Sequence, residues 1–230
     1  MTTIHVRTLV LAFLLSAPAA LVAQTATNEA DQRLKALYNA EWDWRQKEEA
    51  RVPGGLGRHA ADDHLPRVDA ASQQRRLEYW QKTLAELDKI PLEQLSAQEK
   101  INAQVFRAVI EEEAVEVRYK TYEAPFNADT FFWTGFTPRE GFSNAQEYRR
   151  YLGRLRDAPR YFDEQIVNMR AGLKRGFTVP KVSVTGRDKT IEPYLNADES
   201  NPLWVPMSMM PSWIPQAEQE KMRTEARSLI

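Results

Sequence analysis

The stretch Ser143–Pro180, SNAQEYRRYLGRLRDAPRYFDEQIVNMRAGLKRGFTVP, decides the fold class. Ser143 with Gln146 three residues on forms a capping box: the hydroxyl accepts from an orphan N–H and the amide reaches back. Tyr148, Tyr151, Leu152 and Leu155 follow at helical spacing. Asp157-Ala-Pro159 reads as a restart, because Asp157 can cap and proline has no N–H to lose in a first turn. Phe162, Ile166, Met169 and Leu173 then line one face. Lys174 and Arg175 suit the negative end of a helix dipole, and Gly176 supplies a left-handed stop. The spacing predicts two linked amphipathic helices whose apolar faces pack on the rest of the chain.

The flanking sequence supplies more helices. Asn28 caps a first one, running to about Glu49, with Leu34, Leu37, Tyr38 and Trp42 on one side. Trp42 and Trp44 are two apart and so point to different sides. Ser72 opens the next, with Leu77, Trp80, Leu84 and Leu87 at helical steps and Ile90-Pro91 as its end. A second capping box, Ser96 with Glu99, opens a third helix. Its stripe reads Ile101, Val105, Ala108, Glu112, Val115 and Tyr119. Glu112 is either a base whose pKa burial raises or a half-exposed acid paired with an arginine. Beyond Gly176, Val179, Val182 and Val184 predict one short strand or extended segment. Glu192–Pro211 is irregular, yet Leu203, Trp204, Val205 and three methionines make it too apolar for a free linker. Pro215 opens a last helix that carries Met222, Ala226 and Leu229, and its apolar ending reads as interrupted. The pattern is mostly α, a helical array with one short strand or extended segment.

The first residues are set apart. A basic start, the apolar run Leu9–Leu15 and small residues to Ala23 form a secretory signal peptide, too short to span a bilayer. Residues 1–23 are thus the signal, and 24–230 are one helical portion. Setting aside 23 of the 230 residues leaves 207, with 30 basic and 32 acidic side chains, net −2. That balance gives no electrostatic case for nucleic acid. The absence of cysteine fits export without disulfides, to the periplasm or outside the cell. No later run is long and apolar enough to cross a membrane.

Two loops carry candidate site residues. Arg51–Ala70 is broken by Pro53, Gly54, Gly55, Gly57 and Pro66, and contains His59-Ala-Ala-Asp62-Asp63-His64. Two imidazoles and two carboxylates so close can meet a metal; the plainer reading is a solvated polar loop. Asn127–Phe142 carries five aromatics and two glycines. Such aromatics cap a core or line a pocket, and Phe132 and Trp133 are the candidate substrate-binding residues.

The order of elements resembles the N-terminal part of a bacterial family called domain of unknown function 885. The likeness rests on Tyr151-Leu-Gly-Arg-Leu155, Pro159-Arg-Tyr-Phe-Asp-Glu-Gln-Ile166, Met169-Arg-Ala-Gly172, Gly176 with Pro180, and Asn201-Pro-Leu203. The resemblance implies an exported, largely helical protein. Its longer relatives look like zinc metallopeptidases with a C-terminal HExxPGHH-type motif. There two histidines one turn apart hold zinc, and the glutamate takes a proton from metal-bound water. No HExxH occurs in these 230 residues, so no catalytic or metal-binding residue carries over, and no cofactor is expected in this chain itself. The expectation is a scaffold fragment of a larger α-helical hydrolase, with the missing C-terminal portion as its partner and peptide as substrate of the whole. The alternative is a stand-alone periplasmic binding or adaptor module. A third reading makes the His59/His64 loop a hydrolytic metal site.

Overall fold

The structure is a computed structural model that describes residues 28–126, 131–133 and 137–230, with the side chains of Arg58 and His59 outside the description. The expected signal peptide, Met1–Ala23, lies outside the described residues. Among these, seven α-helices follow one another: α1 Glu29–Glu48, α2 Ala70–Leu87, α3 Ala97–Tyr119, α4 Ala145–Lys174, α5 Lys181–Val184, α6 Val205–Ser208 and α7 Gln216–Leu229.

The expected strand is not there. Lys181–Val184 is one helical turn after Pro180, with Val182 exposed and Val184 half-buried, and no strand lies among the described residues to pair with it. Extended pairing among the described residues is limited to two isolated bridges, Arg51 with Ala61 and Phe126 with Phe131.

Helices α1, α2 and α3 pack through two clusters. Ala30, Leu34, Leu87, Ile90, Leu95 and Ala103 form one; Trp80, Ile110 and Ala114 form the other. Asn28 caps α1 by accepting from Ala30 N at 3.0 Å, as its residue type suggests. Ser96 caps α3 by accepting from Glu99 N at 3.4 Å. The cap of α2 is Asp69, not Ser72; Asp69 accepts from Ser72 N and Oγ at 3.1 and 2.7 Å. Trp42 is exposed, whereas Trp44 stacks on Tyr79 with ring centroids 3.7 Å apart. Glu41 takes the buried place on α1 because Arg45 and the Trp80 Nε1–H both reach it.

Helix α4 is one continuous helix of 30 residues, not two. Pro159 sits inside it and forfeits a single intrahelical bond. Asp157 does not cap a new start; its carboxylate faces another segment, described below. The capping box is present one residue on from the predicted place. Asn144 accepts from Glu147 N at 3.1 Å, and Glu147 accepts from Ser143 N at 2.9 Å. The first half of α4 buries Tyr148, Tyr151, Leu152 and Leu155 in the main core with Phe142, Trp204, Met207, Ile214, Met222 and Ala226. Tyr148 and Tyr151 donate their hydroxyls to Met209 O and Leu203 O, which ties the irregular segment to the helix.

Candidate functional site

The second half of α4 reverses the predicted facing. Glu164, Gln165, Asn168 and Gly172 are buried, while Phe162 and Met169 are half-exposed and Ile166, Val167 and Leu173 are exposed. The cause is the loop that follows α1. Its residues 62–69 run without regular secondary structure along α4, and peptide groups there need polar partners. Leu65 N donates to Asp157 Oδ2 and Val68 N to Glu164 Oε2, both at 2.8 Å. Asn168 donates to Val68 O at 2.7 Å, Arg160 to Leu65 O at 2.8 Å, and Arg154 to Asp62 O at 2.7 Å. Arg160 also holds Asp157 and Glu164, and its hydrogen bonds to Asp157 keep that carboxyl below its usual range. A Cβ on Gly153 would lie 2.3 Å from Asp63 O, so the loop approaches where only glycine fits. Burial lowers the pKa of Arg154 to about 10.

With its polar side engaged, α4 turns its apolar side toward a pocket of about 280 Å³. Trp133, Leu155, Pro159, Phe162, Tyr194 and Leu203 are among its walls. Trp133 is held by aromatic contacts, 4.7 Å from Phe131 and 5.0 Å from Phe132 between centroids. Phe132 reaches Phe162 at 5.3 Å. Tyr194 is fixed by a 2.7 Å hydrogen bond with Thr137 Oγ1. The Nε1–H of Trp133 is buried and has no acceptor among the described residues. A cavity with mostly apolar walls suits a ligand that brings a hydrophobic group.

Of the two aromatic candidates, Trp133 lines the pocket and Phe132 buttresses it. Sequence reasoning missed Ile191, Tyr194 and Leu195, which come from the proline-punctuated segment. Its apolar content was the available signal. It also assigned Phe162 to a packed face rather than to a wall.

In the other loop, ligand atoms of Asp62, Asp63 and His64 lie within 4.8 Å of one another. His64 Nδ1 is 3.0 Å from Asp63 Oδ1, with both side chains more than half exposed. The His59 side chain lies outside the described residues. Three such side chains can meet a metal ion, and the same placement is that of a solvated polar loop. Glu112 is exposed on α3, and the neighbouring Glu113 is the acid that pairs with Arg45.

The fold and pocket define an all-helical protein with an apolar cleft beside its longest helix. The chain belongs to a family described as bacterial protein of unknown function (DUF885), whose model matches residues 53–230. No curated protein and no solved structure matches the chain. Among the described residues no helix is long and apolar enough to cross a membrane.

Proposed function

We propose that these residues are the N-terminal helical scaffold of an exported zinc-metallopeptidase-like hydrolase, and that the Trp133 pocket is one wall of its substrate cleft. The observation that carries this reading is the continuity of pocket and open helix face. Phe162 belongs to both, and Ile166, Met169 and Leu173 extend the apolar surface along α4. The resemblance assigns metal and general base to a motif that these residues do not contain, so their part is binding and positioning. The pocket takes an apolar side chain of a peptide and excludes water from it, worth about 2 kcal/mol for a fully buried leucine-sized group.

The test joins residues 24–230 to the C-terminal half of a family member that carries the zinc motif, and follows peptide hydrolysis. Trp133→Ala should raise KM with little change in kcat, because the pocket holds the substrate equally before and during reaction. Unchanged kinetic constants with a lowered melting temperature would make Trp133 a packing residue and remove the cleft.

A further inference from the structure

Arg154 is a cation buried on α4 without an anion. It is only 9% exposed. Burial brings its pKa down to about 10, so it stays charged at neutral pH. Its Nη1 donates to Asp62 O at 2.7 Å, and its guanidinium carbon lies 5.5 Å from the Tyr151 ring centroid. A carbonyl dipole and a ring face offset part of a full charge. No carboxylate among the described residues pairs with it. The nearby acids are turned elsewhere: Asp62 Oδ1 accepts from Asp63 N, Asp63 Oδ1 meets His64 Nδ1, and Glu49 lies 3.9 Å from Arg51. The Nε and Nη2 of Arg154 donate to nothing among the described residues, and neither is sealed from solvent. A buried charge left in this state is costly, and an arriving anion removes the cost.

Arg154 lines a second pocket, of about 240 Å³, whose other walls include Ala61, Leu65, Pro66, Pro138 and Phe142. We propose that this pocket binds a small organic carboxylate, with the Arg154 fork on its two oxygens and its hydrocarbon part against the apolar walls. The geometry of the guanidinium selects the anion. Nε–H and Nη2–H point the same way and match the two oxygens of a carboxylate. A phosphate would bring close to two negative charges to one unpaired cation and leave charge over in an apolar pocket. A free acid and the C-terminus of a short peptide share the required chemistry. Leu155, one helical step on, lines the Trp133 pocket instead. The two pockets therefore have different walls, and the carboxylate site does not depend on the hydrolase reading.

The test is isothermal titration of the purified chain at matched salt. The probes are 3-phenylpropionate and its amide, trialanine as acid and as amide, and inorganic phosphate. At least one acid should bind one to one, with its amide about tenfold to a hundredfold weaker, the factor of a lost charge-assisted hydrogen bond. Binding of 3-phenylpropionate marks a free acid as the source; binding of trialanine acid alone marks a peptide C-terminus. Arg154→Met should abolish acid binding, and Arg154→Lys, which keeps the charge and loses the fork, should weaken it about tenfold. Arg154 also holds Asp62 O, so a second variant leaves it in place. Ala61→Leu fills the pocket and should weaken acid binding with unchanged helical circular dichroism, whether or not Arg154→Met folds. Equal binding of acid and amide, phosphate binding as tight as the acids, acid binding that survives Arg154→Met or Ala61→Leu, or no binding of either acid would overturn the proposal.

Discussion

At the scale of single residues, short polar side chains do most of the specifying. Asp69 is the clearest case. Burial works to raise its pKa, but hydrogen bonds from Ser72 and the nearby Arg67 outweigh this and bring it from 3.8 down to about 2. A depressed acid contributes stability that is complete above its unfolded value and fades as pH falls through its folded one. Asp69→Ala should therefore cost about 1 kcal/mol near neutrality, the usual worth of an N-cap. Thermal melts should show that difference shrinking between pH 4 and pH 2; a constant difference would place the effect elsewhere. The caps at Asn28 and Ser96 were legible because an acceptor before an apolar-periodic run has few other uses. Asp69 was not, because Ser72, three residues on, is an equally good cap by type and only geometry separates them.

At the scale of elements, α4 carries the lesson. Periodicity placed the first half correctly, with Tyr148, Tyr151, Leu152 and Leu155 in the core, and in the second half located the apolar stripe but mis-stated which way it faces. An apolar stripe packs inward when its surroundings are other stripes. Here the neighbour is a loop backbone whose N–H and C=O groups need partners, so the polar side of the helix goes in. The same logic explains why Pro159 did not divide the helix: packing on both sides of it outweighs one lost hydrogen bond. The consequence inverts the usual rule for a helix. Asn168→Leu leaves Val68 O without its donor and should cost about 1–3 kcal/mol in urea unfolding. Leu173→Gln, on the outward side and 69% exposed, should stay within about 0.5 kcal/mol. Equal effects would mean that α4 does not grip the loop. The third helix was misjudged in the same direction, since its more regular stripe is its outward one. The valines after Gly176 suggested a strand by type alone, and no partner strand exists among the described residues to make one.

For the molecule as a whole, the helical class and element order could be read from spacing, caps and prolines. The pocket could not, because its walls come from α4, the aromatic loop and the proline-punctuated segment, which meet only in three dimensions. The assembled chain presents an apolar cavity beside Trp133, an open face on α4 and an exposed apolar stripe interrupted by Glu112 on α3. Its one cluster of metal-type ligands among the described residues occupies three consecutive positions, with Asp63 and His64 exposed and Asp62 half-buried. The most direct measurement is hydrolysis of a mixed peptide library by the purified chain, with zinc added and then removed by chelator. Turnover should equal the blank in both conditions, while apolar peptides protect from quenching the part of the tryptophan fluorescence that Trp133→Phe removes. Zinc-dependent cleavage that His64→Ala abolishes would contradict the scaffold reading outright.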